Sequence, residues 1–137
     1  ARDDAMCMTD YDPPSVYLAT ERIARKTHSC EECGRTILLG EPYQFVSGVW
    51  DGRGNSYKTC SHCVVVQEWL VRECHGFMHS KIGEDIEEHA REYGRRDLKR
   101  LSIGIDWQWR YPKGKPMKIP AVPPGLVEYR DARVTHG

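Results

Sequence analysis

Two cysteine pairs constrain this chain more than any other feature. Cys30-Glu31-Glu32-Cys33 and Cys60-Ser61-His62-Cys63 are both C-x2-C, with 26 residues between them. Two thiols spaced this way can aim both sulfurs at one ion from a tight turn, and two such turns supply the four ligands of a tetrahedral zinc site. A site closed by Cys30, Cys33, Cys60 and Cys63 leaves no position for a catalytic water and is therefore structural. Four cysteines also suit an iron–sulfur cluster, so the ligand set alone leaves zinc and iron open. A disulfide framework needs an oxidising compartment, and the opening Ala1-Arg2-Asp3-Asp4 does not read as an export signal. The expected location is the cytoplasm. A redox dithiol needs one C-x2-C beside a βαβ pattern, and no such pattern appears.

The rest of the composition fits a stapled fold. Of 137 residues, 39% are hydrophobic and 29% charged, with a mean hydropathy of -0.64. A small, polar domain of this kind usually needs a metal or disulfides to supplement its core. Lys and Arg number 20, as do Asp and Glu, which excludes a uniformly basic nucleic-acid coat but not a local patch. No apolar run approaches the roughly 20 residues of a membrane span.

Gly34 follows Cys33 and permits the positive φ that a knuckle turn uses. Residues 43–50 have strand character, 51–55 form a turn cluster with two glycines, and 56–59 return as a second strand. After Cys60, the apolar spacing of Val66, Trp69 and Leu70 predicts a helix starting at or just before Cys63. Three consecutive valines argue against it, because β-branched residues suit strands better. The N–H groups of its first turn would point at the thiolates and stabilise their charge.

Knuckle, hairpin, second knuckle and helix follow one another in the order of a treble-clef zinc finger. The stretch Cys30-x-x-Cys33-Gly34-x-x-Ile37-x-x-Gly40-Glu41-x-Tyr43 resembles the opening of that superfamily. Residues 26–94, about half the chain, also resemble small zinc proteins of unknown function found in bacteriophages and prophages. The resemblance implies a zinc fold and no agreed activity. The expected fold is a small α+β treble clef with an added acidic helix and a basic, aromatic C-terminal extension. The expected boundaries are a flexible arm over 1–14, a zinc domain over 15–118 with its zinc module at 28–74, and a Pro-rich tail over 119–137.

Other metal-type residues need a separate reading. Cys74, His75 and His79, with Cys7 or His28, would make a second ion site if the chain brought them together. Gly76 sits between them and breaks the helix, so the expectation is a helix end with a buried cysteine and surface histidines. Cys7 lies in a loose, Pro-flanked segment. His28 and His62 flank or enter the knuckles, but four cysteines complete the shell without them. His28 also raises an HNH-type nuclease alternative. That reading lacks a histidine in the 43–59 hairpin, so the general base for activating water is missing.

The neutral total hides two charged blocks. Residues 64–90 carry two cations against six carboxylates, and residues 91–118 carry nine cations against three. The acidic block predicts a helix over about 81–94, with Ile82, Ile86, Ala90 and Tyr93 as its apolar stripe and Gly94 as its end. In the basic block, Trp107, Trp109 and Tyr111 alternate as on one strand face, read chiefly as core. Lys113-Gly114-Lys115 predicts a turn. Basic residues among aromatics also suit nucleic acid, with Arg95, Arg96, Lys99, Arg100, Arg110, Lys113 and Lys115 as candidate contacts. The favoured function is a non-enzymatic recognition protein, phage-encoded and directed at a host protein. Nucleic-acid binding is the alternative, with the nuclease a second one.

Overall fold

The structure is a computed structural model that describes residues 14–126. Among the described residues, five strands and three helices form a small α+β, zinc-finger-like fold. The strands are β1 (Val16–Ile23), β2 (His28–Ser29), β3 (Thr36–Ile37), β4 (Pro42–Trp50) and β5 (Arg53–Cys60). The helices are α1 (Ser61–Cys74), α2 (Ile82–Tyr93) and α3 (Arg96–Asp106). β1, β4 and β5 make an antiparallel sheet in that order, and β2 and β3 make a small hairpin around the first cysteine pair.

The β4–β5 turn is tighter than the predicted five-residue cluster. Trp50 pairs with Arg53, so only Asp51 and Gly52 lie in the turn, with φ of 51° and 75°. Two positive φ values are what a two-residue hairpin of the favoured twist requires. Gly54 and Asn55 are thereby released into the ladder, opposite Val49 and Gly48.

β5 delivers Cys60 directly to the start of α1, where it is the N-cap residue. The three valines do form helix, because Val65 and Val66 face the core beside Trp69 and Leu70. His75, in the left-handed conformation with φ of 63°, ends α1 one residue before Gly76. α2 is capped by Gly94, also left-handed, and Gly94 and Arg95 link it to α3. The stripe of Ile82, Ile86 and Ala90 is buried, as its spacing predicts. Two polar residues are buried with it, because Asp85 and His89, four apart on α2, pair inside the core. His89 Nδ1 lies 2.8 Å from the Asp85 carbonyl and 3.1 Å from its carboxylate.

The aromatic segment departs from the strand reading. Residues 96–106 are helical, and the chain then turns through Gln108 and Trp109, both at positive φ. Trp107 is 48% exposed and Trp109 only 3%, so they do not share a face. The apolar spacing of Leu98, Leu101 and Ile105 fills one side of α3, and that side packs on α2. The Lys113–Lys115 turn is present, with Tyr111 N–H donating to Lys115 O at 2.8 Å.

Beyond residue 118 the chain stays on the core as far as it is described. Val122 and Leu126 pack against it. Pro124 O accepts from Trp69 Nε1 at 3.1 Å and from Arg95 Nη2 at 2.9 Å. No helix among the described residues is long and apolar enough to cross a membrane.

Candidate metal centre

The fold brings the two cysteine pairs to one point. Cys30, Cys33, Cys60 and Cys63 are all buried, and their Sγ atoms lie within 4.8 Å of one another. A zinc–thiolate bond of about 2.3 Å implies sulfurs about 3.8 Å apart on a regular tetrahedron. Cys33 and Cys60 Sγ are 3.9 Å apart. The donor set therefore fits one zinc ion, and four thiolates fill its coordination shell.

Each pair is set by local structure. Gly34, at φ 77°, makes the first knuckle turn. Its N–H donates to Cys30 O at 2.9 Å, and Cys30 N–H donates to Arg35 O at 2.9 Å. The second pair spans the join of β5 and α1, so ladder register and helix start place Cys60 and Cys63 together.

Three N–H groups donate to the sulfurs. Arg35 N–H reaches Cys33 Sγ at 3.4 Å, Cys60 N–H reaches Cys30 Sγ at 3.4 Å, and Trp109 Nε1–H reaches Cys63 Sγ at 3.3 Å. Such donors favour the thiolate form that a metal needs. The thiols also act on one another. Hydrogen bonds from Cys30, Cys33 and Cys63 hold the Cys60 thiol far below its ordinary value. Contacts with Cys30, Cys33 and Cys60 push Cys63 up. Four thiolates this close repel strongly, and a divalent cation removes that repulsion.

A second layer braces the first knuckle. Arg35 is buried and forks onto Glu41, with Nη2–Oε1 at 2.6 Å and Nη1–Oε2 at 3.2 Å. Glu41 also accepts from Leu38 N–H at 2.7 Å. Burial disfavours the Glu41 carboxylate, but the Arg35 guanidinium outweighs it and holds the carboxyl below its usual range. The Gly40-Glu41 pair of the sequence motif thus clamps the residue that donates to Cys33.

Sequence reasoning missed Trp109 as a neighbour of the metal site. No local signal places a residue 46 positions away over Cys63. Gly104 on α3 makes the room, because a Cβ there would overlap the Trp109 ring.

The other metal-type residues do not join a cluster. Among the described residues, the four cysteines are the one group of three or more His, Cys, Asp or Glu side chains close enough to share an ion. Cys74 is not the buried cysteine expected, because it is half-buried and disulfide-bonded, with its sulfur 3.5 Å from His89 Nε2. His75 caps α1 and is exposed. His79 is not the surface residue expected. It is buried in an aromatic box, stacked on Tyr57 at 4.2 Å and flanked by Tyr17, Trp50 and Phe77. A second ion at Cys74, His75 and His79 is therefore not assembled. His62 is engaged elsewhere, with Nε2 2.7 Å from Met117 O. His28 rests against Tyr43 at 5.1 Å between ring centroids. Cys7 lies outside the described residues.

The basic candidates divide. Arg95 is buried, forked onto Asp97 at 2.6 and 2.8 Å and bound to Pro124 O, so its guanidinium serves the fold. Arg96, Lys99 and Arg100 are exposed on α3, and Lys113 and Lys115 are exposed in the following turn. Arg110 is half-buried and donates to Gly114 O at 3.2 Å. Comparison of the chain with family models, curated proteins and solved structures finds no match.

Proposed function

We propose that this chain is a non-enzymatic recognition module of the treble-clef type, built on one structural zinc ion, and that its ligand is a nucleic-acid strand. The observation that carries the ligand class is a cleft of about 300 Å³ beside α3. Arg100, Lys115 and Lys118 supply its charge, and Trp109, Tyr111 and Met117 supply apolar surface. No carboxylate lines it. Cations beside an accessible aromatic ring suit phosphates with stacked bases. Tyr111 is half exposed at 49%.

The test is fluorescence anisotropy with labelled 12-nucleotide strands across a salt series. Affinity should fall steeply with salt, with a slope of about 0.7 per phosphate contact. Changing Arg100, Lys115 and Lys118 together to Ala should lower both affinity and slope. Absent or salt-insensitive binding removes this reading. Incubation with magnesium or manganese should give no cleavage, because the thiolates leave the zinc no site for water. Cleavage abolished by His28→Ala would restore the nuclease alternative.

A second reading keeps the favoured expectation from the sequence, a phage-encoded accessory protein that binds a host protein. Its support is β1, which lies at the edge of the three-stranded sheet with Val16 and Leu18 exposed. An apolar edge strand is a template for pairing with an extended segment of a partner. Capture of a bacterial protein that survives nuclease treatment and is lost on changing Leu18 to Lys would favour it.

A further inference from the structure

The sheet has two unlike faces. Tyr17, Trp50 and Tyr57 alternate onto one, and His79 of the α1–α2 loop stacks over them. The register places Thr20, Phe45 and Lys58 side by side on the other. Leu18, Ser47 and Ser56 form the next row and are exposed. Phe45 is half-buried, and the Arg22 guanidinium carbon lies 4.0 Å from its ring centroid. Phe45 therefore sits between two cations, Arg22 on β1 and Lys58 on β5.

This row runs into a cleft of about 580 Å³ lined by Arg22, Ile23, Arg25, Lys26, His28 and Tyr43. It has three full cations and no carboxylate in its lining. Lys58 and Phe45 lie one row along the same face from Arg22 and Tyr43, which line the cleft, so the sheet row and the cleft are continuous. Along the chain these cations are dispersed, because Lys58 is 30 or more residues from the cations of β1 and its following turn.

From this juxtaposition we infer a second strand-binding surface: the open face of β1, β4 and β5 binds a single nucleic-acid strand, with phosphates on Arg22, Arg25, Lys26 and Lys58 and a base against Phe45. The inference rests on the nucleic-acid reading above and assigns it a different set of residues. A single strand is favoured over a duplex, because a half-buried ring on a flat sheet reaches a base only when that base is unpaired. An acidic peptide would satisfy the cations but offers no base to stack in place of the Arg22 guanidinium that lies over the Phe45 ring. RNA and DNA offer the same phosphate and base chemistry, and separate probes distinguish them.

The zinc-loaded full chain is titrated with labelled 12-nucleotide oligo-dT and oligo-U. Arg25→Ala with Lys26→Ala changes two exposed turn residues outside the core. It should weaken binding about tenfold or more and lower the salt slope by about 1.4, for two lost contacts. Phe45→Leu should weaken binding about tenfold with little change in slope, the mark of lost stacking. If Phe45→Leu fails to fold, as judged by zinc content and helicity, Phe45→Tyr is used, and binding should be retained. A stronger response to oligo-U than to oligo-dT assigns RNA, and the reverse assigns DNA. Wild-type affinity in the Arg25/Lys26 variant, with loss in the Arg100/Lys115/Lys118 variant, overturns this inference and leaves the general reading intact. No binding by the wild type overturns both. Full displacement by poly-glutamate at equal charge overturns the base-stacking part and favours an acidic protein ligand.

Discussion

Trp109 shows how much one side chain is asked to do. Its indole N–H donates to Cys63 Sγ and its ring fills the space over Gly104. To get there, the backbone holds Gln108 and Trp109 at φ of 55° and 58°. Non-glycine residues in this region cost about 1–2 kcal/mol each. Gly104→Ala should displace the ring and destabilise the chain by about 1–3 kcal/mol, measured by denaturant unfolding of the zinc-loaded protein. His79 makes a second residue-scale prediction. Burial pushes its imidazole down to about 4, against an ordinary value near 6.5. The folded state holds it neutral, so its contribution to stability is fully present above about pH 6.5 and is lost as the pH falls toward 4. Glu32, whose Oε2 lies 3.9 Å from His79 Nδ1, is shifted up by burial and acts in the opposite sense. The unfolding free energy of the wild type, measured relative to His79→Phe, should therefore fall on acidification. A ring that titrates near 6.5 by NMR would contradict this assignment.

At the scale of elements, the zinc site is where four pieces of secondary structure are tied. The β2–β3 hairpin carries the first cysteine pair, β5 ends on Cys60, and α1 begins around Cys63. Structural zinc in small domains contributes apparent free energies on the order of 10 kcal/mol, so little of this arrangement should survive metal loss. Chelation at neutral pH should abolish the cooperative unfolding transition and much of the helical circular dichroism, and added zinc should restore both. Metal analysis should give one zinc per chain, unchanged by His75→Ala or His79→Ala. A count of two would revive the second site. The hairpin and α1 were legible in the chain, because Asp51-Gly52 and the cysteine spacing are local signals. α3 was not, since its apolar residues run straight into Trp107 and Trp109, and the alternation of those two imitates a strand.

On the scale of the whole molecule, residues 119–126 belong to the core. Pro124 O receives hydrogen bonds from Trp69 on α1 and Arg95 between α2 and α3, and Leu126 N–H donates to Glu73 at 3.1 Å. Ending the chain after residue 118 should cost about 3 kcal/mol, because it removes an acceptor from a buried guanidinium and from a buried indole. A urea midpoint equal to that of the full chain would refute that role. Charge is likewise a property of the assembled molecule. The acidic and basic blocks are visible in the chain, yet burial removes Arg95 from the basic surface while folding adds Arg22, Arg25, Lys26 and Lys58 to it. The sequence by itself determined the knuckle turn, the hairpin and the start of α1, because each depends on residues a few positions apart, and it determined the ligand set because two C-x2-C pairs supply four thiols whatever the span between them. Tertiary structure alone decided that Trp109 roofs Cys63, that Arg95 is buried, that His79 covers one sheet face, and that the other stays open among the described residues. Those outcomes depend on which surfaces remain to be covered once distant elements have packed, and no short stretch of chain carries that information.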